Sequence, residues 1–322
     1  MLDLISLGIL VLLAGLLIWW SLRTARFKGW ALRWLGTGLG LLLALAVSIA
    51  SVLAAIGLVK ANARTAPVPM LDAADTMDQI RRGQAIADSF CGACHSVTGP
   101  LTGGLDIGKD FPLPVGSFVS SNLTPAGRLK HWSDGEIFRA LRNSVDAEGH
   151  WLTVMSYTNA GRLSDADILS VIAYLRSLPA AGEESVMPAD RFNLLGLIML
   201  GAGLLPTGKP VSTETIIAPP KAPTEAWGAY LLSYQDCREC HGATLTGGVP
   251  GQMAPLGPNL AVVKQWQLTE FVATLRSGVD PGGHILGPEM PWQPIGKMDD
   301  VDLQAIYQYL VHMPDDSDTP IN

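Results

Sequence analysis

The sequence predicts a mainly α-helical protein in which two membrane-length apolar helices precede two similar helical domains. Three observations predict it. Two apolar runs, Leu2–Trp20 and Leu35–Val59, occupy most of residues 1–60, and each is long enough to cross a bilayer's hydrocarbon layer. The chain then repeats itself: Trp132, Glu136, Leu141, Arg142, Val145, Asp146, Gly149 and His150 recur 134 residues later as Trp266, Glu270, Leu275, Arg276, Val279, Asp280, Gly283 and His284. Each copy also carries one Cys-x-x-Cys-His motif, at Cys91-Gly92-Ala93-Cys94-His95 and at Cys237-Arg238-Glu239-Cys240-His241, and together these use all four cysteines.

Cys-x-x-Cys-His is the attachment signature of c-type haem. Two thiols three residues apart on one helical turn can both form thioethers to the vinyl groups of one porphyrin, and the adjacent His then aims an imidazole nitrogen at the iron. Cys91, Cys94, His95, Cys237, Cys240 and His241 are therefore expected to hold two covalently bound haems. A zinc ribbon would bring the two Cys pairs within about 15 to 20 residues of each other, whereas roughly 140 separate them here. A disulfide inside either pair would have poor geometry on a helix.

Hydrophobic residues make up 48% of the 322 and charged residues only 16%, a balance that points to a membrane-embedded part. Residues 1–60 hold five of the 22 Lys and Arg and one of the 29 acids, leaving 17 basic against 28 acidic residues in the remainder. That acidic field argues against nucleic acid as a partner and suits a basic protein surface or simple solubility.

Residues 1–60 read as a two-helix transmembrane anchor. The first run ends on Trp19-Trp20, an interfacial pair, and its positive charges follow the apolar core, the reverse of a signal peptide. Ser21–Trp34 carries four of the five basic residues and no acid, which places that loop in the cytoplasm and everything beyond Lys60 in the periplasm of a bacterial inner membrane. Gly36, Gly40, Ala44 and Ser48 form a small-residue stripe on the second run. The stripe can seat the first helix or a helix of another subunit.

Residues 61–74, with Pro67 and Pro69, read as a tether. In the first domain, residues 75–180, Asp75-Thr76 caps an entry helix through Gly83, where a second helix can cross closely. Ser164-x-x-Asp167 resembles a capping box for a closing helix with Ile168, Val171, Ile172 and Leu175 on one face. Residues 181–223 read as a linker with a short apolar helix in Asn193–Leu205, too short to span a bilayer and expected either on a haem domain or at the membrane surface. In the second domain, residues 224–322, Thr224 and Gly228 match the first entry helix, and Leu303, Ile306, Tyr307 and Leu310 match the closing face at an offset of 135. Pro179 and Pro314 end the two closing helices.

An iron held by one His needs a ligand on its opposite face, and Met or a second His are the usual electron-transfer choices. Met155 and Met290 are the primary candidates, each nine residues before the start of its closing helix. His150 and His284, at matching repeat positions, form the bis-histidine alternative, with His131, His312, Met253 and Met298 also in range. Methionine would give the higher haem potential.

The Cys-x-x-Cys-His motif near a first helix, the later Met and the Tyr-Leu closing helix resemble class I cytochrome c, twice over, across roughly residues 75–180 and 224–315. The first copy also resembles cytochrome subunits of bacterial membrane-bound alcohol and sugar-acid dehydrogenases, through Asn122-Leu123-Thr124-Pro125, Trp132-Ser133-Asp134-Gly135-Glu136, Ala140-Leu141-Arg142, Leu163-Ser164-Asp165-Ala166-Asp167 and Tyr174-Leu175-Arg176-Ser177-Leu178-Pro179. Those subunits usually have three haem motifs and no pair of N-terminal spans. An anchor followed by two cytochrome domains is also similar to the dihaem subunit of C-family haem-copper oxidases. The resemblance implies a non-catalytic electron-transfer subunit of a respiratory or other membrane complex, passing electrons from a dehydrogenase or quinol-oxidising partner to a soluble cytochrome or an oxidase. A dihaem peroxidase-like enzyme or a haem sensor is the alternative, and either would need an open iron position.

Overall fold

A computed structural model of the chain describes residues 2–184, 190–252 and 254–314. Met253 and the end of the second domain beyond Pro314 lie outside the described residues. Helices α1 (Leu2–Thr24) and α2 (Trp30–Asn62) form an antiparallel hairpin. Segments Ile5–Thr24 and Arg33–Asn62 within them are long and apolar enough to cross a membrane. Thr24 Oγ1 lies 2.9 Å from the Ser21 carbonyl, to which it donates, and 3.2 Å from Thr37 Oγ1. A Cβ at Gly36 would touch Thr24, and one at Gly40 would run into Ser21 and Trp20. The small-residue stripe is thus occupied by the chain's own first helix and carries no argument for a helix from another subunit. Leu12, Leu16, Leu42, Leu45 and Val52 point outward, exposed.

The first copy contains α3 (Met77–Ile86), a π-helical turn over Ala87–Cys91, α4 (Gly92–His95), strand β1 (Gly116–Phe118), α5 (Asp134–Asn143) and α6 (Asp165–Ser177). Thr76 caps α3 by accepting from Gln79 N, as expected. Ser164 caps α6 by accepting from Asp167 N, but the Asp167 carboxylate does not close a box and goes instead to Arg82. The reciprocal capping box belongs to Ser133 and Glu136 at the start of α5.

Strand β2 (Asp190–Phe192) pairs antiparallel with β1, in the register Gly116↔Phe192, Ser117↔Arg191 and Phe118↔Asp190. Helix α7 (Leu194–Gly201) follows, capped by Asn193. It packs on the second anchor helix and, at its start, on the first copy: Gly57 of α2 abuts the Leu197 carbonyl, Gly201 abuts the Leu53 carbonyl, Gly196 abuts the Val115 carbonyl, and the Lys60 ammonium binds the carbonyls of Leu200 at 3.0 Å and Gly201 at 3.3 Å. Two glycines let the backbones meet, and the lysine adds a charged donor to carbonyls at the helix end.

The second copy contains α8 (Glu225–Tyr234), α9 (Cys237–His241), α10 (Leu268–Ser277), α11 (Trp292–Ile295) and α12 (Asp300–Val311). Its entry and closing helices cross as in the first. A Cβ at Gly83 would collide with the Ser170 carbonyl and the Tyr174 side chain, and one at Gly228 with the Ala305 carbonyl and the Tyr309 side chain. The obstacles in the two copies are equivalent at the 135-residue offset.

The two helix pairs pack against each other around one continuous apolar core that includes Ile86, Ile168, Ile172, Leu231, Leu303 and Ile306. Equivalent positions meet across this seam. Arg82, just before Gly83, stacks over the ring of Trp227, just before Gly228, at 5.0 Å. Arg82 pairs with Asp167 at 2.8 Å and reaches Asp302 at 3.5 Å, while Trp227 Nε1 donates to Asp302 at 2.6 Å and the Tyr230 hydroxyl to Asp167 at 2.5 Å. Ser89 and Gln235, each two residues before its first Cys, bond at 3.3 Å. The copies are therefore related by an approximate two-fold within one chain.

Candidate haem sites

The histidines of the two Cys-x-x-Cys-His motifs, His95 and His241, sit in the same local frame. After each motif the chain turns through a left-handed leucine, Leu101 at φ 56° and Leu245 at φ 64°. An amide then returns to the histidine carbonyl, Gly103 N to His95 at 2.7 Å and Gly247 N to His241 at 2.9 Å. Each imidazole commits Nδ1 to a backbone carbonyl, His95 to Ser121 at 2.7 Å and His241 to Pro258 at 2.8 Å. Donation from Nδ1 makes Nε2 the free lone pair, and burial lowers both pKa values toward the neutral ring that ligates metal. None of the four cysteines is in a disulfide, and burial pushes the thiols of Cys91 and Cys237 up to about 12.

Cys91, Cys94 and His95 open into an apolar cavity walled by Phe118, Leu123, Trp132, Ile137, Leu141 and Leu175. Met155 lines the same cavity. Two thiols, an imidazole and a thioether in one apolar enclosure form a donor set that fits a c-type haem. The wall is completed from the other copy by Gln235, Asp236, Pro291, Pro294 and Ile295. In the second copy, Met290 is partly buried against the core, one residue before Pro291.

Of the competing ligands in the first copy, neither His131 nor His150 lines that cavity. His150 Nδ1 faces Asp146 at 3.1 Å with its side chain 53% exposed, and His284 is 76% exposed and 4.0 Å from Asp280. Both stand where two equivalent bridges, Val145↔Trp151 and Val279↔Ile285, fold the chain back. His131 is exposed, His312 bonds its own Gln308 carbonyl, and Met298 is a core residue at 3% exposure.

Two carboxylates in the cavity wall carry no mark in the sequence. Asp190, on β2, accepts from Thr153 N, and Asp236 accepts from Asn159 N and Nδ2 at 2.7 Å each. Burial pushes both up to about 6. Neither has a repeat counterpart or a ligand-type spacing that would have marked it.

Two helical copies, each built on a single-turn Cys-x-x-Cys-His helix with an oriented histidine, the first with a methionine in its cavity wall, place the chain among the c-type haem proteins. The chain belongs to the cytochrome c family, whose model matches residues 80–179 and 227–314. Membership implies covalently bound haem c. Among curated relatives, it is 26% identical over 285 residues to the fructose dehydrogenase cytochrome subunit of Gluconobacter japonicus, covering 79% of this chain and 56% of that one. It is 29% identical over 98 residues to the cytochrome c subunit of alcohol dehydrogenase (quinone) from Gluconacetobacter polyoxogenes, covering 26% of this chain and 21% of that one. With the gluconate 2-dehydrogenase cytochrome c subunit of Pantoea cypripedii it shares 29% identity over 98 residues, 26% of this chain and 22% of that one. The chain thus spans about half the length of the first relative and less of the other two.

Proposed function

We propose that this chain is a membrane-anchored dihaem electron-transfer subunit of a dehydrogenase complex. The single observation that carries the reading is the duplicated histidine frame: both motifs present Nε2 from an imidazole whose Nδ1 is held by a carbonyl. Cys91 and Cys94 would hold one haem covalently, with His95 and Met155 as ligands to its iron, and Cys237 and Cys240 the other with His241 and Met290. When bound, the haems would supply reversible one-electron chemistry, and the residues around them would set orientation, potential and access.

A dehydrogenase subunit is the donor suggested by relatives named as dehydrogenase cytochrome subunits. A soluble cytochrome or a terminal oxidase is the acceptor. α1 and α2 span the bacterial inner membrane with residues 21–34 in the cytoplasm and both haem units in the periplasm, a topology supported by the loop charges and helix lengths.

The test is spectroscopic. The ferric protein is expected to show the weak sulfur-to-iron band near the red end of the visible spectrum. Met155→Leu and Met290→Leu should each remove one site's share and lower that haem's potential. Rapid carbon monoxide binding by the reduced wild-type protein would overturn this reading in favour of an open-iron enzyme or sensor.

A further inference from the structure

We infer that Asp236 of the second copy is a positioning residue for the methionine loop of the first, so that Met155 ligation at one haem is secured by the segment that attaches the other. The inference rests on the axial role proposed for Met155.

Asp236 directly precedes Cys237, at the N-cap position of α9. An aspartate there ordinarily accepts from amides of its own helix. This one makes no such bond. Its backbone is left-handed, φ 57° and ψ 9°, a conformation uncommon outside glycine although Asp and Asn enter it more readily than other residues. The carboxylate instead crosses to the first copy and accepts from both the backbone and the side-chain amide of Asn159 at 2.7 Å.

Asn159 directly follows the turn that begins at Met155 and closes at Thr158. Thr158 holds the Met155 carbonyl through Oγ1 at 2.8 Å and N at 3.2 Å. The linker closes the clamp, because Lys209 Nζ bonds Asn159 Oδ1 and Glu239 Oε1 at 2.6 Å each and its amide bonds the Ser156 carbonyl at 2.8 Å. Asp236 and Met155 line one cavity, so movement of the loop changes where the thioether stands in it.

The clamp is one-sided. The position matching Asp236 in the first copy is Phe90, which meets Tyr234 edge-on at 5.9 Å. The position matching Asn159 is Pro294, which has no amide hydrogen to offer. Loss of the Asp236 carboxylate should therefore act on the first haem alone, although the residue adjoins the second attachment site.

The experiment uses full-length holoprotein in detergent, in a Met290→Leu background where the remaining sulfur-to-iron band belongs to the first haem. Asp236→Gly keeps the left-handed backbone and deletes the carboxylate. The band should weaken, disappear at lower pH than in the Met290→Leu parent, and be accompanied by a lower first-haem potential with the second unchanged. Asp236→Asn, whose amide oxygen still accepts, should recover part of the effect. A shift confined to the second haem, or no shift, would overturn the inference. If Asp236→Gly does not fold, Asn159→Ala reads the same clamp from the other side and must lower the same potential. Loss of the band in Met155→Leu with no response to Asp236→Gly refutes the clamp alone, whereas a band that survives Met155→Leu refutes the ligand assignment beneath it.

Discussion

Asp190 is the residue whose chemistry is set most plainly by its surroundings. It stands in the wall of the first cavity, and burial is the largest cause that brings its carboxyl to about 6, with Asp146 adding repulsion while hydrogen bonds from Thr153 and Val154 pull the other way. The sign of the linkage follows. Between the ordinary aspartate value and about 6 the folded chain binds a proton that the unfolded chain has released, so this group's contribution falls as pH rises through that window and stays unfavourable above it. Asp190→Asn carries no such titration. The variant's thermal midpoint relative to wild type should rise between pH 4.5 and pH 7, and a difference independent of pH would show that Asp190 is ionised throughout.

Single glycines decide how the elements cross. Entry and closing helices in both copies meet at Gly83 and Gly228, with the Ser170 and Ala305 carbonyls directly opposite. Because those obstacles are backbone, a methyl group cannot be accommodated by a rotamer change. Gly83→Ala is expected to destabilise the chain by roughly 1–3 kcal/mol, the range for overpacking, read as a lowered denaturant midpoint with covalent haem retained. Gly57 and Gly201 play the same part between α2 and α7. Gly57→Leu should free α7 from the anchor and make residues 194–205 the earliest site of limited proteolysis. Unchanged cleavage would mean that the β1–β2 pair and the contacts of Asn193 and Gly196 with residues 114–115 hold the linker without α2.

At the scale of the whole molecule, the two copies behave as one body because their seam is both apolar and charged. Arg82 bridges Asp167 and Asp302, whose side chains are 8% and 3% exposed, and Lys221 reaches Asp302 at 3.2 Å. Arg82→Met removes the cation common to both acids and leaves Asp167 with hydrogen bonds only, a loss of roughly 3–5 kcal/mol for a broken buried pair. Differential scanning calorimetry should then resolve two transitions where wild type shows one. The anchor makes a separate prediction: a reporter fused after Trp34 should be active only if it works in the cytoplasm, and one fused after Lys60 should behave oppositely. Matching behaviour at both points would refute the two-span topology.

The local and periodic features were legible in the sequence. Apolar length marked α1 and α2, Thr76, Ser164 and Thr224 marked helix starts, the repeat marked the paired crossings at Gly83 and Gly228, and Cys-x-x-Cys-His marked the attachment turns. Each rests on neighbours within a few residues or on comparing the chain with itself. What depends on approach in space was decided only by tertiary structure. Sequence left open whether the stripe at Gly36 and Gly40 serves α1 or a stranger, and the folded hairpin assigns it to α1. It placed the Asn193–Leu205 helix on a haem domain or the membrane surface, and the fold seats Gly196 against Val115 of the first copy while Gly57, Gly201 and Lys60 dock the helix on α2. The Asp167 carboxylate read as part of a capping box, and Asp190 and Asp236 carried no mark, until the fold brought them to Arg82, Thr153 and Asn159. A side chain's partner 37 to 85 residues away leaves no periodic trace, because hydrogen bonds and burial depend on distance in the folded chain and not along it.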